Sequence, residues 1–115
     1  MEATAPLSFD TEVATYLPLA VDRIVGAVDP ERIILFGSRA RDDARPDSDV
    51  DLLVVFRHLS DKRETARTIG RLLGDRKVPV DIVVADLDEI QRRGNVIGTV
   101  LREAWREGQV LFERN

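Results

Sequence analysis

The sequence predicts an α+β fold, a small mixed β-sheet covered by helices, and three observations predict it. Three short runs rich in Ile, Leu and Val, Arg32–Phe36, Val50–Phe56 and Val80–Ala85, read as buried strands. Apolar residues recur at helical spacing around them, as in Val13, Leu17, Ala20, Ile24 and Val28. The connection from Gly37 to Asp49 leaves little room for a full crossover helix, which weighs against a flavodoxin-like parallel sheet; a ferredoxin-like arrangement is the other alternative. The order is helix, strand, strand, helix, strand, helix, helix, in a single domain over residues 1–115.

Each element has a local reason. Met1 to Pro6 are expected to fray. Ser8 is placed to cap the first helix, with Asp10 and Glu12 in its opening turn. Pro18 either kinks that helix or starts a second one, and Asp29-Pro30 stops it. After the first strand, Ser38 to about Asp43 is a short helical turn and Ala44–Ser48 a loop. Ser60 is expected to cap a helix whose Ala66, Ile69 and Leu73 line one face, with Gly74 ending it. Asp86–Arg93 is a short helix. Asn95 is expected to cap the last helix, which turns Ile97, Leu101, Ala104 and Trp105 to the core. Gly108 closes it, and Val110–Phe112 adds a small edge strand.

Composition narrows the function classes. The 115 residues are 43% hydrophobic and 33% charged, with no cysteine, so disulfides and thiolate metal sites are excluded. The lack of disulfides suits a reducing cytoplasm. No apolar run approaches the roughly 20 residues that span a bilayer, and the N-terminus does not read as a signal peptide. A net charge of −4 argues against an extended nucleic-acid face. A small substrate held through metal ions remains open.

The chemistry concentrates between Leu35 and Asp51. Gly37-Ser38 stands where a buried strand gives way to a helical turn. Glycine lets a ligand approach the backbone, the free N–H groups of the turn favour an anion, and Ser38 adds a hydroxyl donor. This suits a terminal phosphate, although an ordinary turn looks the same. Asp49 and Asp51 lie two residues apart at the start of an apolar strand, so both carboxylates share one face. Like charges held so close resist ionising, and a divalent cation removes the conflict. Oxygen ligands of this kind suit Mg²⁺ or Mn²⁺. Asp81 interrupts the apolar run Val80-Asp81-Ile82-Val83-Val84; it is either a strand-end residue in solvent or a third ligand. If its strand neighbours the second, the three carboxylates can hold two ions about 4 Å apart for in-line displacement at phosphorus. Arg39, Arg41 and Arg45 flank the turn, where arginine either grips phosphate oxygens or salts the turn to Asp42, Asp43 or Asp47; Arg39 is the favoured phosphate contact.

Gly37-Ser38, ten intervening residues and Asp49-Val50-Asp51 resemble the signature of the DNA polymerase beta-like nucleotidyltransferase superfamily. Phe-Gly-Ser-Arg-Ala-Arg followed by Ala-Arg-Pro-Asp-Ser-Asp-Val-Asp-Leu-Leu-Val is similar to its minimal branch, the MNT proteins. Val-Pro-Val-Asp-Ile-Val-Val resembles the strand of the third carboxylate, and Val100–Glu113 the last helix and tail. The resemblance implies a polymerase beta palm-like fold in which Asp49 and Asp51 bind both of two Mg²⁺ ions and Asp81 completes the nucleophile-side site. It implies ATP as donor, with Gly37 and Ser38 on its terminal phosphates, attack on the α-phosphorus, and loss of pyrophosphate. Asp42 stands where this branch often has glycine; aspartate tolerates a left-handed backbone, but its charge disfavours triphosphate.

Within the MNT branch the resemblance implies an MntA-type antitoxin that adenylylates a tyrosine of a HEPN-type toxin. Two other readings stand beside it: a binding module that neutralises its partner by docking with little catalysis, and a transferase acting on a small molecule or RNA. His58, the single histidine, is expected at the surface. Trp105 and Phe112 are expected as core or interface anchors, with the Val110–Phe112 edge or the last helices as the docking face.

Overall fold

The computed structural model describes residues 11–41, 48–74, 78–94, 96 and 99–114. Ser8, Asp42, Asp43, Arg45, Asp47, Asn95 and Ile97 lie outside them. Helix α1 (Thr11–Val28) is one element with Pro18 inside it. Pro18 is tolerated because it and Ala14, whose carbonyl loses its helical donor, are both exposed to water. Asp29 then takes a left-handed conformation, φ 54°, which aspartate accepts more readily than most residues, and Pro30 follows as a buried stop.

Strands β1 (Arg32–Phe36) and β2 (Val50–Phe56) occur with the expected bounds, joined through the short helix α2 (Ser38–Arg41). Helix α3 (Lys62–Leu72) leads to β3 (Val80–Asp86), α4 (Leu87–Arg93), α5 (Val100–Glu107) and β4 (Gln109–Glu113). Two caps differ from expectation. Asp61, not Ser60, accepts the Glu64 amide at the start of α3; a carboxylate there also meets the positive end of the helix. The last helix starts at Val100, later than expected, and Thr99 caps it by accepting from the Arg102 amide.

The four strands lie in the order β3-β2-β1-β4. β1 runs antiparallel to β2 and to β4, and β2 runs parallel to β3. The antiparallel β1–β2 pair rules out the flavodoxin-like sheet, and the parallel β2–β3 pair rules out an all-antiparallel ferredoxin-like one. The parallel pair needs a crossover, and α3 supplies it. The sheet is buried on both faces, which explains why its strands read as unbroken apolar runs. Ile33, Leu35, Val50, Leu52, Val54 and Phe56 pack with α1 and α3. Ile34, Phe36, Leu53, Val55 and Ala85 pack with Ile90 of α4 and with Leu101 and Ala104 of α5.

Gly108 lets the end of α5 press against β1: an added Cβ would stand 2.3 Å from Ile34 Cγ2 and 2.9 Å from the Leu35 carbonyl oxygen. Trp105 is half-buried under the Arg32 guanidinium, 4.6 Å from its ring centroid, an anchor as expected. His58 is exposed. Among the described residues, no helix is long and apolar enough to cross a membrane.

The capping assignment gives a direct test. Asp61→Ala is expected to cost about 1 kcal/mol, whereas Ser60→Ala stays within about 0.5 kcal/mol, both read from urea unfolding midpoints.

Candidate active site

The site is built where β1 ends and β2 begins. Gly37 leaves β1 with φ +77°, and its carbonyl accepts the amides of Ala40 and Arg41, both at 3.1 Å, which closes α2. Phe36 pairs with Asp51 across β1 and β2, so the turn lies against the Asp51 side chain. A Cβ on residue 37 would stand 2.3 Å from Asp51 Oδ2. Both backbone angle and space therefore call for glycine here.

Asp51 is in turn the register partner of Asp81 on parallel β3, and the Val50 amide locks that register by donating to the Pro79 carbonyl at 2.8 Å. By strand alternation both aspartates belong to the face covered by α4 and α5, with Leu53, Val55 and Ala85. Asp49 stands one residue outside β2 and is exposed, as is Asp81; Asp51 is half-buried. Burial raises the Asp51 carboxyl above its ordinary value, and the charges of Asp81, Asp49 and Glu103 raise it further, while Arg41 opposes them. The charges of both Asp49 and Asp81 thus reach Asp51.

Among the described residues, no three His, Cys, Asp or Glu side chains close into a ready-made cage for an ion. The strand register pairs Asp51 with Asp81. The donor set nevertheless fits a hard divalent cation. It is all carboxylate oxygen, and the half-buried member carries an unrelieved repulsion that a cation removes. Asp49, Asp51 and Asp81 are the residues that would hold it.

The arginines divide. Arg39 is only 8% exposed, and its guanidinium donates to the Ser48 carbonyl at 2.8 Å. Arg41 is exposed and pairs with Glu103 of α5 at 3.0 Å. Arg41 and Glu103 line a cleft of about 380 Å³ with Thr99, Val100, Arg102 and Glu107. Glu103 was not legible as a site residue. It lies half the chain away from Asp51, and only the packing of α5 on β1 brings it near.

Folding makes Asp51 harder to ionise, so ionising it costs stability. That cost is absent below the ordinary carboxylate value near 3.8, grows as pH rises through the raised value, and is complete above it. Asp51→Asn is therefore expected to raise the melting temperature in metal-free buffer at neutral pH, with the gain vanishing in acid; thermal melts across pH check this. Gly37→Ala is expected to cost about 1–2 kcal/mol through its backbone angle. It should also weaken Mn²⁺ binding, because Asp51 must swing away from the new methyl group; unfolding and metal titration read the two effects separately.

Solved structures share this architecture. A candidate nucleotidyltransferase from Sulfolobus solfataricus superposes with a TM-score of 0.62 at 22% identity, covering 97% of this chain and 94% of its own. A mutant of the toxin–antitoxin MntA–HepT gives 0.55 at 20% identity, over 85% of this chain and 73% of its own. A toxin–antitoxin structure with AMP-PNP gives 0.54 at 21%, over 86% and 75%. At such identities the likeness is one of fold. No curated protein matches the sequence. The model of the nucleotidyltransferase domain family matches residues 19–104. That span holds the Gly37 turn, all three aspartates and Glu103, and the chain belongs to the nucleotidyltransferase domain family.

Proposed function

We propose that this nucleotidyltransferase moves AMP from ATP to a hydroxyl group with Mg²⁺, and that the acceptor is a tyrosine of a HEPN-type toxin. The observation that carries the reading is the register Phe36–Asp51–Asp81 across three strands. It brings Asp81 into register with Asp51, and Asp51 against the turn at Gly37, which supports a site for nucleotide and metal. Gly37 leaves its backbone open, and Ser38 offers a hydroxyl and an N–H to the terminal phosphates. Arg41, exposed at the end of α2, can leave Glu103 for a phosphate oxygen. Asp49, Asp51 and Asp81 hold the divalent ions and orient the acceptor hydroxyl in line with the α-phosphorus. Bound there, Mg²⁺ would supply acidity to that hydroxyl and counter-charge to the triphosphate. The acceptor hydroxyl gives its proton to solvent, its oxygen forms a bond to the α-phosphorus as the bond to the bridging oxygen breaks, and pyrophosphate leaves.

The toxin partner is supported by the neighbours. Two of them are toxin–antitoxin structures, one holding AMP-PNP, and the chain overlays most of each. A protein acceptor also suits the net charge of −4 better than RNA does.

The test is a labelling reaction. The protein is incubated with Mg²⁺, α-phosphate-labelled ATP and lysate of the source organism, beside an Asp49→Asn/Asp51→Asn control. A labelled protein band that falls about 100-fold or more in the control is the expected result. Label in RNA would redirect the acceptor to nucleic acid. A folded, partner-binding protein with no carboxylate-dependent label would favour neutralisation by docking.

A further inference from the structure

Arginine is seldom buried unless its charge is engaged, and Arg39 is the one buried polar or charged side chain among the described residues. It begins on α2, directly after Ser38 of the phosphate turn, and reaches across to the Ser48 carbonyl at 2.8 Å. Ser48 is the residue before Asp49. Asp49 itself lies outside the sheet: β2 starts at Val50, whose amide is anchored to Pro79. The Asp49 backbone is thus held on its C-terminal side by the sheet and on its N-terminal side by Arg39. Because a peptide unit is planar, pinning the Ser48 carbonyl also sets the direction of the Asp49 N–Cα bond.

We propose that Arg39 is a positioning residue that aims the Asp49 carboxylate at the divalent ion by clamping the Ser48–Asp49 peptide, rather than a ligand of the triphosphate. A charge-assisted bond in a buried setting is stiff enough for this work. The action is geometric. The phosphate-facing cation on α2 is then Arg41, which lines the open cleft. The same clamp couples the two halves of the site: one turn presents phosphate donors from Gly37 and Ser38, and its next residue fixes the first metal carboxylate.

This role rests on the metal-binding reading of Asp49, Asp51 and Asp81, and the experiment separates the two. Mn²⁺ binding is measured by the loss of the free-ion paramagnetic signal without nucleotide. Binding of a non-hydrolysable ATP analogue is measured by calorimetry at saturating Mn²⁺. Variants are Arg39→Met, Arg39→Gln and Arg39→Lys, with Asp49→Asn/Asp51→Asn as reference. Arg39→Met is expected to weaken Mn²⁺ binding about 10-fold, the scale for loss of a group that orients a metal ligand, while analogue affinity changes less than about twofold. Arg39→Lys keeps a cationic donor and should recover most of the Mn²⁺ affinity. If Arg39→Met does not fold, a folded Arg39→Gln is expected to bind Mn²⁺ more weakly than Arg39→Lys. Wild-type Mn²⁺ affinity in a folded Arg39→Met or Arg39→Gln overturns the role. So does an unchanged Mn²⁺ affinity with a 10-fold loss of analogue binding, which would make Arg39 a phosphate ligand. A wild-type chain that takes up no Mn²⁺ overturns the carboxylate reading and this role with it.

Discussion

Everything at the site depends on the register of β2 between its two neighbours. β2 is buried on both faces: Leu52, Val54 and Phe56 face one helical layer, and Leu53 and Val55 the other. A slip of one residue would exchange the two sets and carry Asp51 into the packing of α1 and α3. Hydrophobic burial on two sides therefore places a carboxylate far more firmly than any contact of that carboxylate does. The flanking strands turn this certainty into a site. Antiparallel β1 delivers Gly37 to one side of Asp51, and parallel β3 delivers Asp81 to the other. Neither pairing alone would suffice, because the mixed sheet is what lets a turn and a second acidic strand approach from opposite directions.

The cost of that convergence is electrostatic. Asp51 feels Asp81, Asp49 and Glu103, with Arg41 as the opposing cation, and half-burial weakens the help of water. A cluster like this does nothing for the stability of the metal-free chain, and local rules of this kind are broken chiefly at working sites. The opposing charges also have distinct origins. Asp49 and Asp51 come from one strand start, Asp81 from the sheet edge, and Arg41 and Glu103 from an ion pair that bridges α2 and α5.

Much of this was legible in the chain because burial leaves a periodic trace. The bounds of β1 and β2 follow from apolar runs closed by Gly37 and by Arg57. A period of two put Asp49 and Asp51 on one face, but Asp49 lies one residue outside β2, where strand alternation does not reach. The neighbourhood of Asp81 required knowing that β3 pairs with β2, which local pattern does not contain and the family resemblance supplied. Caps were harder. Ser60 and Asp61 are both good acceptors, and which residue turns toward the Glu64 amide depends on how the chain leaves β2, not on propensity. Nor did composition separate Arg39 from Arg41. They sit two apart on a four-residue helix, and one is buried and the other exposed because of what packs around α2. Glu103 was illegible for the same reason: its proximity to Asp51 is a property of tertiary packing.

The parallel pairing of β2 and β3 carries a consequence for how the protein reaches its working form. Antiparallel β1 and β2 are linked by a short connection, whereas β3 joins β2 only after α3 has crossed the sheet. Contacts between distant parts of a chain form at a greater entropic cost than local ones. A nascent or partly unfolded chain holding only the β1–β2 pair would own the glycine turn and two aspartates but lack the third. On the proposed three-carboxylate site, catalytic competence waits on completion of the fold, and a fragment or folding intermediate without Asp81 in place would be chemically silent.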